Sequence, residues 1–255
     1  GQVQQELAHQ PGLSILTSHE VLEIIPTSDD LKTNPTPSPT PPSFPLYTVN
    51  LRRIGLKGPL PELKSFITPT VLIASGYQPF AAGLRGEFGY GRYPGVVSSL
   101  DLERVWQEHG SLAPVFGNLR RVAFIQCVGS RDRRGGNPFC SKVCCGYVAR
   151  MARRIRWEAA QTSVTIFHQD FQARPALWSA LTAADSEITL IRSLPSQAYQ
   201  LPRQGVVLNW ETASAGGNQT AEFDLVVLSV GITAGDFNAE AEKSLGITRD
   251  TGGFL

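Results

Sequence analysis

All four cysteines of this 255-residue chain fall in one short stretch, RRVAFIQCVGSRDRRGGNPFCSKVCC, as Cys127, Cys140, Cys144 and Cys145. Thiolates bind metals or exchange electrons, and the C-x12-C-x3-C-C spacing constrains which. A helix expected from about Ser141 to Ala160 would set Cys140 and Cys144 on one face, with Cys145 roughly 100° further round. Cys127 closes a strand expected over 121–127, and in a β–α unit that strand end points at the start of the next helix. Structural zinc favours paired C-x2-4-C knuckles, and no C-x-x-C occurs here. A cubane [4Fe-4S] cluster spreads its four iron corners, so adjacent cysteines on one helical turn can each reach a different iron. The spacing favours the cluster, with tetrahedral zinc and a redox dithiol or disulfide as alternatives.

The same stretch is basic. From Asn118 to Arg156 there are ten Lys and Arg against one acid, Asp132, in a chain whose net charge is +1. Such a block suits an anionic partner: a nucleic acid, a phosphate-bearing cofactor or a metal–thiolate centre. Aromatic residues that could stack on bases are sparse within it, with Phe124, Phe139 and Tyr147 before Trp157. Charged residues make up 18% and hydrophobic ones 42%, and no apolar run is long enough to span a bilayer. No signal-peptide profile opens the chain, so a cytoplasmic location is expected, where clustered thiols bind metal or do redox work more often than they form structural disulfides.

The elements around the cysteines alternate as in a parallel sheet: strand 121–127, the cysteine helix, strand SVTIFH, helix ALWSALTAA, strand EITLIR. SSLDLERVWQEHG reads as an amphipathic helix capped by Ser98 or Ser99 and stopped by Gly110. LSILTSHEVLEII and LYTVNLRRI read as strands joined by a seven-proline segment expected to form a solvated polyproline-like loop over 26–45. TVLIASGYQP and FDLVVLSVGIT read as matched buried strands ending at small residues, Ser75-Gly76 and Val230-Gly231. GVVLNWETA and TAEFDLVVL flank a turn signal at Gly216-Gly217-Asn218. No G-x-G-x-x-G occurs, even after strand 121–127, where a nucleotide-binding unit would place it. The first cysteine takes that slot, which disfavours ordinary nicotinamide binding there.

VAFIQCVGSRD…GNPFCSKVCCGYVAR, together with ASGYQPF and EFGYGRYPGVVSSLDLERV, resembles the A subunit of heterodisulfide reductase and its relatives, including the A subunit of the quinone-interacting oxidoreductase of sulfate reducers. The resemblance runs from about Gly12 to Leu255. It implies an α/β, thioredoxin-reductase-like fold, in which a discontinuous, incomplete FAD domain (1–112 and 221–255) is interrupted by a nucleotide-like domain (113–220) carrying a [4Fe-4S] cluster. By position, the cluster ligands would be Cys127, Cys140, Cys144 and Cys145. Arg150 stands where the family usually has a flavin-contacting lysine; Ser75, Gly76 and Gly231 would be flavin-side contacts. The family's glycine-rich FAD fingerprint is absent, as are the segment that normally follows DTGGFL and an inserted two-cluster ferredoxin, so the chain reads as an interior fragment.

The function expected from this resemblance is electron transfer between FAD and the cluster, in a subunit that is inactive alone. Its partners would be other subunits of an electron-transfer complex and a polypeptide that completes the FAD domain, with no nucleic acid and no membrane insertion. The rival is a binding module stabilised by zinc or a cluster, with the basic block facing nucleic acid. No side chain is expected to act as a catalytic acid or base: His109 and His168 belong to no constellation and read as structural or surface residues.

Overall fold

Two runs without a polar face, VAFIQCV and LVVLSV, settle side by side at the centre of a sheet, because a strand buried on both faces needs no alternation. The computed structural model describes residues 12–27, 45–54, 63–133, 135, 137–172, 178, 179, 181, 183, 187–202, 205–212 and 217–255. They belong to two compact units, one of Gly1–Gly76 with Ala234–Leu255, the other of Tyr77–Thr233.

In the first unit β1 (His19–Pro26), β2 (Tyr47–Arg53) and β3 (Leu63–Thr68) form an antiparallel sheet in that order. Strand β1 starts only after Ser18, whose φ of 57° breaks the extended run expected from Leu13. Helix α4 (Phe237–Leu245) packs against β1. The proline-rich loop lies almost wholly outside the described residues. The expected strand over 70–79 does not form: Leu72 is 90% exposed, and only β4 (Gln78–Pro79), in the second unit, pairs with anything, namely β13 (Ile232–Thr233). Residues 70–76 therefore have no sheet partner among the described residues, so FDLVVLSVGIT has no counterpart there.

The second unit is built on five parallel strands in the order β5 (Val96–Ser98), β12 (Leu225–Val230), β6 (Arg121–Val128), β7 (Ser163–Phe167), β8 (Ile188–Ile191). An antiparallel sheet of β9 (Gln197–Gln200), β10 (Val206–Thr212) and β11 (Gly217–Phe223) carries the hairpin expected around Gly217. The compact units divide at 76/77 and 233/234, and β5 and β12 are hydrogen-bonded neighbours within the same sheet as β6. The helix expected over 176–184 lies mostly outside the described residues, though Trp178 and Leu181 are buried.

Each face of the sheet has its own core. On one, Val122, Phe124 and Val227 meet Leu102 and Trp106 of α1 (Ser99–His109) and Val148, Ala152 and Ile155 of α3 (Cys144–Glu158), with the short α2 (Ala113–Phe116) at the rim. On the other, Ala123, Ile125 and Leu228 meet Phe80, Leu208 and Trp210, and Phe167 packs edge-on to Trp210 at 4.9 Å. A fully buried side chain such as Phe124 contributes about 1.5–3 kcal/mol.

Helix α1 starts as the sequence predicts. The Asp101 N–H donates to the Ser98 hydroxyl at 3.2 Å, the Ser98 N–H donates back to the Asp101 carboxylate at 2.9 Å, and Gly110 closes the helix at φ 75°. Burial pushes the Asp101 pKa up, but hydrogen bonds from Ser98 and from the Tyr90 hydroxyl outweigh it and hold the carboxyl below its ordinary value. Its stabilising contribution is therefore complete above the ordinary value of about 3.9 and is lost as pH falls through the lower folded-state value. Denaturation at neutral and acidic pH checks two expectations: Ser98→Ala costs about 1 kcal/mol at neutral pH, and Asp101→Asn removes this part of the acid destabilisation.

Candidate metal centre

The turn between β6 and α3 is held in an unusual conformation. Four non-glycine residues adopt positive φ among the described residues, and three of them, Cys127 (61°), Arg131 (57°) and Lys142 (58°), lie in this turn. Each such residue costs on the order of 1–3 kcal/mol unless its surroundings fix it, and such strain gathers at functional sites. Here the surroundings do fix it. The Ser130 N–H donates to the Cys127 carbonyl at 3.0 Å, the Arg131 N–H to the Phe139 carbonyl at 2.9 Å, and the Asn137 side chain to the Gly129 carbonyl at 3.1 Å. The Ser130 and Ser141 hydroxyls share a hydrogen bond, and Ser141 also accepts from the Ile232 N–H at 3.0 Å. The cysteine turn is thereby tied to the start of β13.

Cys127, Cys144 and Cys145 are buried and Cys140 is half-buried. Helix α3 begins at Cys144, not near Ser141, so Cys140 precedes it in an irregular turn; there its sulfur accepts from the Lys142 N–H at 3.4 Å. The shared helix face expected for Cys140 and Cys144 is thus replaced by a turn followed by the helix start. The Cys144 thiol donates to the Cys127 sulfur, which lowers the pKa of Cys127 and raises that of Cys144 to about 11. Cys145 neighbours Cys144, and Cys127 feels the charges of both Cys145 and Cys140. The sulfurs meet pairwise: among the described residues no group of three or more His, Cys, Asp or Glu is placed to hold a single metal ion.

Much of the basic block is engaged elsewhere. Arg121 pairs with Glu222 at 3.4 Å and Arg154 with Glu158 at 2.9 Å, and the Arg154 guanidinium lies over the Trp106 ring. Arg131 is the arginine that reaches the thiols: it pairs with Asp170, and its charge also lowers the Cys127 pKa. Acids outside the block take Arg121, Arg150 and Arg154.

Arg150 and Gly231 line one groove of about 160 Å³, together with Tyr77, Glu103 and Tyr147. The Arg150 side chain is 72% exposed and faces Glu103 at 3.6 Å. Gly231 is also needed for packing, since a Cβ there would overlap the Ser130 and Ser141 hydroxyls. The Tyr147 hydroxyl donates to the Val230 carbonyl at 2.8 Å, and burial, with the nearby thiols, pushes its pKa far up. In the first unit the Ser75 hydroxyl donates to the Asn238 side chain at 3.3 Å, and Gly76 follows at φ 71°. His168 stacks on Phe171 at 3.9 Å and is buried, while His109 lies at the exposed end of α1.

Sequence reading missed Gln126 and the Ser130–Ser141 pair. Gln126 is 1% exposed and accepts from the Cys145 thiol at 3.3 Å. Its signal was there: one amide inside an otherwise apolar, fully buried strand.

No family model matches the chain. A thioredoxin reductase of Lactococcus lactis superposes with a TM-score of 0.51 at 17% identity, covering 91% of this chain and 58% of that one. The enzyme of T. acidophilum gives 0.52 at 15%, covering 93% and 59%. The fold is thus α/β of the thioredoxin reductase type. The A subunit of the H(2):CoB-CoM heterodisulfide,ferredoxin reductase of Methanothermobacter thermautotrophicus is 31% identical over 204 residues, 76% of this chain and 31% of that protein. The second iron-sulfur A subunit of the CoB-CoM heterodisulfide reductase of Methanopyrus kandleri is 33% identical over 205 residues, with the same shares. The chain belongs to the family of heterodisulfide reductase A subunits and spans about a third of the length of these curated relatives.

Proposed function

We propose that this chain is an electron-transfer part of a heterodisulfide-reductase-like oxidoreductase, with Cys127, Cys140, Cys144 and Cys145 holding a [4Fe-4S] cluster that exchanges electrons with FAD. The observation that supports this reading is the strained turn that carries a strand-end thiol, a turn thiol and two helix-start thiols in one stretch, with Cys127, Cys144 and Cys145 meeting pairwise. The all-sulfur donor set suits iron–sulfur chemistry, and its pairwise spacing suits a polynuclear centre better than one tetrahedral ion. When bound, such a cluster supplies one-electron transfer. The protein's share is to bury three of the four sulfurs, to aim the N-terminal dipole of α3 at them, and to place the Arg131 charge beside Cys127. A zinc-stabilised module facing nucleic acid is supported less well, because Arg121, Arg131, Arg150 and Arg154 are each engaged with acids. Electron paramagnetic resonance on anaerobic protein, before and after dithionite, tests the reading. A reduced-cluster signal is expected, and a colourless, silent sample would contradict it.

The flavin part of the reading rests on a further polypeptide. The described residues do not by themselves cradle a dinucleotide: the β6–α3 turn holds cysteines where the phosphate-binding glycines would sit. Ser75, Gly76, Arg150 and Gly231 are proposed as contacts in an assembly where another polypeptide completes the FAD domain. The first unit supports this, since Leu63, Phe66, Ile67 and Leu72 stand exposed on β3 and the segment after it, more apolar surface than an unpartnered unit usually shows. The isolated chain is expected to bind a hydrophobic dye such as anilinonaphthalene sulfonate strongly at neutral pH, and Ile67→Lys with Leu72→Lys to suppress most of that fluorescence. Weak fluorescence from the unmodified chain would remove this support.

A further inference from the structure

Gln126 is a buried amide with one end satisfied and the other not. It sits on β6 immediately before Cys127 and is 1% exposed; its Oε1 accepts from the Cys145 thiol at 3.3 Å, while its Nε2 is buried with no hydrogen-bond partner. An orphaned amide N–H2 in an interior costs about 1–3 kcal/mol, so its position beside a candidate ligand calls for an explanation. The same contact has a second defect. A cysteine that ligates a metal does so as thiolate and has no proton to give, so Oε1 would then oppose a negative sulfur. Rotating the amide by 180° removes the second defect and gives Nε2 a partner: the two ends are nearly the same size, Nε2–H then points at the Cys145 sulfur, and Oε1 takes the unpartnered position. Strand geometry suits the residue to this role, because Val122 and Phe124, at alternate positions, pack in the same core as Cys145 and Val148 of α3.

We propose that Gln126 is a positioning residue of the metal centre, whose side-chain N–H donates a hydrogen bond to the Cys145 sulfur once that sulfur is bound to iron, and so raises the reduction potential of the cluster. The inference rests on the cluster reading given above. A donor to a ligating sulfur stabilises the more negative, reduced state more than the oxidised one, which is how hydrogen bonds tune iron–sulfur potentials. The isosteric pair Gln126→Met and Gln126→Glu separates the effects. Met keeps the volume and removes the donor, and Glu keeps the shape and replaces the donor with an acceptor that carries charge.

The test is iron and sulfide content followed by a redox titration monitored by electron paramagnetic resonance, on the full chain and both variants prepared without oxygen. With iron retained, Q126M is expected to move the midpoint negative by about tenfold in the reduction equilibrium, about 59 mV for one electron, and Q126E further in the same direction. If Q126M fails to load iron, Q126E carries the same decision. A loaded variant whose midpoint is unchanged or more positive would overturn the role of Gln126 and leave the cluster reading intact. An unmodified chain without iron or sulfide would overturn both.

Discussion

Cys144→Ala, prepared without oxygen, is expected to lose the iron, the sulfide and the visible absorption carried by the unmodified chain. Cys144 opens α3, is buried, and neighbours the sulfurs of both Cys127 and Cys145, so its loss removes the middle member of the set. Cys127→Ala should behave alike, because that thiol is fixed in place by a backbone at φ 61° that only the surrounding turn sustains. Iron and sulfide analysis of all four single variants checks the assignment. Loss of the centre in Cys144→Ala but its full retention in the other three would contradict ligation by four cysteines.

The second large effect falls on packing. Gly129 lies two residues beyond Cys127 at φ 74°, where a side chain is already strained, and a Cβ there would run into the Phe80 ring. Phe80 cannot retreat easily, since its N–H donates to the Gly231 carbonyl at 3.0 Å and its ring belongs to the core against Val128 and Val230. The φ penalty and the overlap together are expected to cost Gly129→Ala about 3 kcal/mol or more, which lowers the melting temperature by on the order of 10 °C. A melting temperature equal to that of the unmodified chain would show that Phe80 moves aside freely. Because Gly129 also accepts from Asn137 within the cysteine turn, the same variant should bind iron more weakly.

The parts legible in the sequence are those whose physics is local. Continuous apolar runs marked β6, β7 and β12, and the Ser98/Ser99 and Gly110 signals marked both ends of α1. The strand expected at TVLIASGYQP failed for a non-local reason: its composition is that of a buried strand, but a strand needs hydrogen-bonding neighbours, and none of the described residues pairs with 70–76. The cysteine spacing named the candidate site, yet an assumed early helix start misplaced Cys140, because the positive φ at Lys142 delays α3 to Cys144. Charge counting marked the basic block but gave no hint that Glu222, Glu103 and Glu158 would claim Arg121, Arg150 and Arg154. Gly231 was singled out as a flavin contact; the structure adds a steric reason for glycine there that sequence inspection has no means to find, the closeness of Ser130 and Ser141.

Metal and sulfide quantitation on the anaerobic 255-residue chain tests the central proposal most directly. About four iron and four acid-labile sulfide per chain are expected, with no stoichiometric zinc. About one zinc per chain, without iron or sulfide, would contradict it.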